Sequence, residues 1–301
     1  MNAQDSKTAG ATALLLKAEP TTPCIIVTGP QSVSIKGGTT FADCVFAQDT
    51  PLPEPAAGWA PGADYGVKVL AAAIVVDKLA SAPDFSIYLG GFHFAPGGNA
   101  SARAGGDNIP AINPYSVWDI NFRPACPDPR GMAFILPRQC WVDIYMAAAD
   151  HLANGTSQFG QVIADGDDPP MKPDSEDPYQ GLDYETALAV MKHHGKGLLS
   201  FEDFIVAAYG VTEKTAVAKD PKKTGLDAAR TSKFGLMHAT GNLWVWGHDG
   251  DPDNPRASIF GGSWLSGQVA GSRFACVAYY WPVHSYGNIG ARGRSDHLQP
   301  V

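Results

Sequence analysis

FGGSWLSGQVAGSRFACVAYYWPVHSYGNIGARGRSDHL, residues Phe260 to Leu298, is the stretch on which the reading of this chain turns. Two glycine–arginine blocks, Gly271-Ser272-Arg273 and Gly290-Ala291-Arg292-Gly293, frame a run rich in Tyr, Ser, Gly, His and Asn. Glycine permits tight turns, and an arginine fork reaches carbonyls or carboxylates. Between such struts, stiff aromatics supply contact area and small polar residues adapt, which is the composition of a paratope. The same residues also suit an aromatic β core near a C-terminus, and composition alone leaves both readings open.

Upstream of that stretch, Gly (33) and Pro (24) are both abundant among the 301 residues, which favours short strands and loops over long helices. CIIVTG (24–29), SVSIKGG (32–38), YGVKVLAAAIVV (65–76) and DFSIYLGGFHF (84–94) read as strands cut by Pro, Gly and Asp. The expected organisation is an arm over 1–20, a β-sandwich-like domain over 21–117 and a second domain over 118–301. The Gly-rich stretch 95–110 is either a linker or a loop draped over a neighbour. The second domain reads as α+β. One helix is expected from Tyr184 to His194, with Gly195 as its stop. Another begins at Ser200, where Ser200-Phe201-Glu202-Asp203 resembles a capping box with Asp in the Glu place. Short aromatic strands follow from Gly241.

The formal charge is −8 and no basic run exceeds Lys222-Lys223, so nucleic acid is excluded as a main partner. No leader of signal-peptide form and no apolar run of spanning length occurs, so synthesis in a cytoplasm without membrane insertion is expected. Five cysteines without a CxxC pair suggest neither a zinc site nor a disulfide framework. Asp249, Asp251 and Asp253 alternate as in a calcium loop, but Phe260 stands where a bidentate Glu would close it, so they are weak metal candidates and a solvated acidic loop is the alternative. His93 lies in an apolar run and reads as a satisfied core histidine. His297 beside Asp296 could make an acid–base pair, yet no nucleophile motif accompanies it. No cofactor and no catalytic residue is expected.

Longer motifs carry a resemblance. GGFHFAPGGNASARAGGDNIPAINPYSVWDINFRPACPDPRGM (90–132), HLANGTS, IADG, HHGK, LWVWG, FGGSW, GSR, GARG and DHL together resemble the major tropism determinant family, the receptor-binding proteins of phage tail-fibre tips and variable proteins of diversity-generating retroelements. The likeness runs, with gaps, from about Gly29 to Leu298. It implies a C-terminal C-type lectin fold of the formylglycine-generating-enzyme type, preceded by a small all-β sandwich. It further implies a homotrimer at the virion or a cell surface, binding a protein or glycan receptor. The family's N-terminal β-prism has no counterpart in the short arm here.

The resemblance also implies how residues vary. A reverse transcriptase miscopies adenines, and the affected codons reach a wide set of residue types that excludes Trp, Gln, Glu, Lys and Met. Transferred position by position, the variable ligand-binding residues are Ser263, Leu265, Ser266, Gly267 and Val269, then Val277, Tyr279, Tyr280, His284, Tyr286, Asn288 and Ile289, with Pro282 as the anchor of the second set. All lie in the reachable set, which ordinary composition would achieve about one time in fifteen. Phe260, Gly261, Gly262, Trp264, Gly271, Arg273, Gly290, Arg292 and Gly293 are the implied scaffold. Variable residues are expected to face outward, because surface changes cost little stability and core changes cost much. Two alternatives remain. One is an enzyme of the formylglycine-generating type, although this region holds only Cys276, with Ser266 where a second cysteine would be expected. The other is a structural virion or surface protein without variable binding.

Overall fold

Proline, glycine and aspartate punctuation cuts the first hundred residues into short strands, as the computed structural model shows; it describes residues 14–41, 43–70, 73–250, 257–277 and 281–298. Strands β1 (Ile25–Gly29), β2 (Ser32–Ile35), β3 (Thr39–Phe41), β4 (Cys44–Phe46) and β5 (Thr50–Pro51) come first. β1-β2-β5 make an antiparallel sheet and β3-β4 a ribbon. The 65–76 run, read as one strand, is instead a hairpin of β6 (Ala63–Leu70) and β7 (Ala73–Lys78), with Tyr65 opposite Lys78. No Gly or Pro between Val67 and Val76 marks where one strand gives way to the next.

β8 (Gly90–Ala95), β9 (Ala111–Ile112) and β10 (Trp118–Asp119) complete a five-stranded sheet ordered β10-β8-β6-β7, with β9 also on β8. Trp118, where the second domain was expected to open, thus pairs with Gly91 of this sheet. A Cβ on Gly91 would sit 2.4 Å from the Tyr65 carbonyl oxygen and 2.9 Å from the Trp118 ring, so glycine is what lets the indole lie on the strand. Both sheets feed one apolar core: Ile25, Val33 and Ile35 from the first meet Tyr65, Val67, Phe92 and Phe94 from the second. His93 is buried between Asp64 Oδ1 at 3.1 Å and Tyr145 Oη at 3.0 Å, a satisfied core histidine that ties this core to the following half. The Gly-rich loop drapes onto that half as well, with Gly105 and Gly106 N–H donating to the Gly210 and Ala228 carbonyls at 2.8 Å.

The C-terminal half is loop-rich. In chain order it comprises β11 (Met132–Ile135), β12 (Cys140–Asp143), α1 (His151–Asn154), α2 (Tyr184–His193), α3 (Phe201–Ala207), β13 (Trp244–Gly247), β14 (Ser258–Phe260), β15 (Ala275–Cys276), β16 (Ile289–Gly290) and β17 (Arg294–Asp296). One sheet runs β11-β12-β17; the other runs β15-β14-β13-β16, with β16 parallel to β13. The helix boundaries follow their caps. Asp183 accepts the Thr186 N–H, Gly195 turns left-handed at φ +68 after α2, and Ser200 accepts the Asp203 N–H. The second arm of the expected capping box is absent: the Asp203 carboxylate binds Arg138 Nε at 2.8 Å rather than the Ser200 N–H. No helix among the described residues is long and apolar enough to cross a membrane.

A buried polar cluster ties the end of β12 to the segments around Thr156, Lys196 and Gly293. The Asp143 carboxylate, fully buried, accepts from Lys196 Nζ at 2.6 Å, Thr156 Oγ1 at 2.7 Å and the Gly293 N–H at 3.0 Å. Burial works against the Lys196 ammonium, yet the adjoining Asp143 charge outweighs it and holds the pKa above its ordinary value. Removing one partner leaves the other charge buried and uncompensated. Lys196→Met is therefore expected to cost about 3–5 kcal/mol in urea unfolding; a loss under about 1 kcal/mol would contradict the pairing.

Histidine burial sets the response to acid. His151 Nε2 lies 2.9 Å from the Met171 carbonyl, so Nε2 carries the proton and Nδ1 accepts from His194 Nε2 at 2.8 Å. Burial, reinforced by His151, pushes His194 down to about 3, and burial pushes His238 down to about 4. Unfolded, each would titrate near ~6.5. The unfolded chain therefore binds more protons below that pH, and stability held above it drains as pH falls toward the folded values. Asp165, raised by burial to about 6, has the opposite sign and offsets part of the loss. Melting temperature should drop by ~5 °C or more between pH ~6.5 and ~4.5, and a flat profile would refute this account.

Candidate ligand-binding face

Phe260 ends β14 fully buried, stacked 5.1 Å from the Phe204 ring. Gly261 and Gly262 then turn left-handed at φ +91 and +78, and a Cβ on Gly262 would lie 2.6 Å from the Val269 carbonyl oxygen. The loop closes on itself where the Gly271 N–H donates to the Gly261 carbonyl at 3.0 Å. Inside it, the Ser263 N–H donates to Ser266 Oγ at 2.9 Å and the Trp264 N–H to the Asn242 carbonyl at 2.9 Å. Leu265 (64% exposed), Gly267, Gln268 and Val269 form the outer rim.

The second block is pinned at several points. The Tyr184 N–H at the head of α2 donates to the Pro282 carbonyl at 3.0 Å, the Leu182 N–H to Ser285 Oγ at 2.7 Å, and the Gly166 N–H to the Tyr286 carbonyl at 3.1 Å. Between these ties the side chains of Trp281, His284 and Tyr286 make a row, with ring centroids 6.3 and 5.2 Å apart. Asn288 Nδ2 donates to Ser263 Oγ at 3.2 Å and joins this block to the first.

The residues expected to vary do not all face outward. Leu265, Gly267, Val269 and Tyr286 are exposed, while Ser266, Val277, His284 and Asn288 are half-buried. Tyr279 and Tyr280 lie outside the described residues. Ser263 and Ile289, at 0% and 1% exposure, are corrections. The Ser263 hydroxyl is the hub of its loop, accepting the Leu265 N–H and the Asn288 amide. Ile289 pairs with Trp244 in β16 and packs in the cluster around Trp246. Sequence reading passed over Val283, 73% exposed, and Trp281, 54% exposed. Their place among outward-facing neighbours was the available signal.

Of the scaffold, Arg292 is the strut its position promised. Fully buried, its guanidinium donates to the carbonyls of Asp143, Ile144, Met237 and His238 at 2.6–3.3 Å. Burial lowers its pKa to about 10, which leaves it charged at neutral pH. Gly290 and Gly293 flank it; a Cβ on Gly290 would meet Met146 Cε at 2.5 Å, and one on Gly293 the Asp143 carboxylate at 2.5 Å. Trp264 is half-buried. Arg273, expected as the second strut, is exposed instead; the turn is held by Ser272, whose N–H donates to Glu213 at 3.1 Å and whose hydroxyl binds the same carboxylate.

Two further candidates have protein partners. Asp249 accepts from the Phe201 N–H at 2.6 Å and Ser258 Oγ at 3.0 Å, which ties it to the start of α3 and to β14. Asp251 and Asp253 lie outside the described residues. His297 does not pair with Asp296; its Nδ1 accepts from Trp141 Nε1 at 3.0 Å, and Asp296 binds Arg294. The β17 strand alternates faces, which sends these neighbours to opposite sides.

Comparison with known proteins agrees with this architecture. Residues 23–119 match the family model described as the Mtd second domain. Over 325 residues the chain is 36% identical to the tail fiber receptor-binding protein of Bordetella phage BPP-1, covering 94% of this chain and 84% of that protein. Among solved structures, the Major Tropism Determinant M1 variant matches with a TM-score of 0.89 at 35% identity, over 96% of this chain and 87% of that one. The I1 variant matches with 0.87 at 36% identity, over 95% and 86%. By sequence along nearly its whole length, the chain belongs to the major tropism determinant family.

Proposed function

We propose that this chain is a receptor-binding display protein carried on a virion, at a tail-fibre tip, and that it binds without catalysis. The observation that carries the reading is the joined pair of blocks, 263–269 and 281–288, on a chain 36% identical to a phage tail fiber receptor-binding protein. The domain division proposed is a sandwich over 21–117, with β10 hydrogen-bonded onto it, and a C-type lectin domain of the formylglycine-generating-enzyme type over 118–301. The working form proposed is a homotrimer, in which three weak contacts add by avidity. A retroelement is proposed to diversify the face.

The ligand face is amphipathic and shallow. Leu265, Val269, Trp281, Val283 and Tyr286 expose apolar surface, while His284, Ser266 and Asn288 add polar groups. That mixture suits a protein or glycan surface better than a deep small-molecule pocket. Leu265, Val269, Tyr286 and His284 are the proposed adaptable contacts. Ser263 and Ile289, if they vary, do so at a cost in stability.

Two measurements test this. Leu265→Ser with Tyr286→Ser should abolish attachment to the bacterial cells that the parent chain binds, with stability changed by less than about 1 kcal/mol. Ile289→Ala should cost about 2–5 kcal/mol. Retained attachment by the first variant, or unfolding by it, would overturn the assignment of the face. The diversification has a separate test in the flanking DNA, which should hold a near-duplicate of the 260–298 coding segment differing at adenines beside a reverse transcriptase gene.

A further inference from the structure

The motif IADG, Ile163 to Gly166, ends beneath the second display block. Asp165 is buried, and its Oδ1 accepts the N–H groups of Asp167 and Asp168 at 2.7 and 2.8 Å. Aspartate bends the chain this way because its short side chain reaches backbone donors a few residues ahead. The Asp165 N–H closes the same turn on the Asp168 carbonyl at 3.1 Å. From outside, Lys222 Nζ braces the turn, 3.0 Å from Asp220 and 3.4 Å from Asp168. The turn carries the block on its main chain. The Gly166 N–H donates to the Tyr286 carbonyl at 3.1 Å, the same oxygen that accepts the Ile289 N–H at 3.1 Å. A Cβ on Gly166 would lie 2.5 Å from the Tyr286 nitrogen, so glycine is what lets the two backbones meet. A Cβ on Gly287 would likewise collide with Asp167 Oδ2. None of these contacts uses the Tyr286 side chain, which is exposed.

We propose that Asp165 is a positioning residue of the display face: its side chain shapes the turn that fixes where residues 284–288 lie, whatever side chains they carry. This rests on the reading of 281–288 as a display block. The two N–H groups of the turn ask for an acceptor oxygen and not for a charge. Burial in fact makes the charge costly and pushes the Asp165 pKa up to about 6. Asparagine offers the same acceptor oxygen without the charge, and alanine offers none. Serine offers a hydroxyl, which makes such turns more weakly. A residue outside the variable stretch therefore sets the backbone of the face, while the residues within it set its chemistry.

Amide hydrogen exchange of the full chain, followed by NMR at neutral pH, tests this. Two amides read the block: His284, bonded to the Trp281 carbonyl, and Ile289, bonded to the Tyr286 carbonyl. Asp165→Ala should speed exchange of both about tenfold or more and leave the β12 amides within about twofold of the parent. Asp165→Asn should hold all of them within about twofold of the parent. Where the alanine variant does not fold, Asp165→Ser decides, with acceleration of about threefold or more expected at His284 and Ile289. Three results each overturn the proposal: unchanged exchange of those two amides in the alanine or serine variant, equal acceleration in β12, or an asparagine variant as fast as the others. No receptor enters the measurement, so the attachment experiment with Leu265→Ser and Tyr286→Ser still judges the display reading by itself.

Discussion

A single buried guanidinium holds the C-terminal half in register. Arg292 lies between the end of β12 and the 237–238 turn and donates to two carbonyls on each side. A charge out of water is costly unless its donors are met, and here four backbone oxygens take the Nη1 and Nη2 groups with no carboxylate among the hydrogen-bond partners. The planar fork suits that geometry, and a lysine would offer a point charge in its place. Next along the chain, Gly293 gives its N–H to Asp143, whose other contacts hold Lys196 and Thr156. The frame under the display face is therefore polar at its centre and apolar around it.

That frame explains how the outer face can be free. Both display blocks are tied through main-chain groups: Gly271 to Gly261, Trp264 to Asn242, Tyr184 to Pro282, and Gly166 to Tyr286. Main-chain ties do not depend on side-chain identity, so Leu265, Val269 and Tyr286 can change without loosening the loops. The exceptions are side chains that make ties of their own: Ser266 through its hydroxyl and Asn288 through its amide, besides the two that turned inward. Ser263 works through its hydroxyl and Ile289 through its volume.

Local signals in the sequence were reliable and long-range ones were not. Gly195 announced the end of one helix and Ser200 the start of the next, because such signals are written within a turn of the chain. Arg292 was legible as a strut from its flanking glycines. The division between β6 and β7 carried no Gly or Pro signal. The burial of Ile289 comes from parallel pairing with β13, more than forty residues upstream, which no local period can announce. His297 looked like half of an acid–base pair beside Asp296, but strand alternation parted them and gave the imidazole to Trp141.

The bond from Asn288 to Ser263 has an evolutionary corollary. It couples two positions that lie twenty-five residues apart in the chain. A change at either one alters the background in which the other is selected, so their effects on fitness are epistatic. The pool of viable faces is then smaller than the product of choices at each site, and surviving combinations at 263 and 288 should be correlated across related phages.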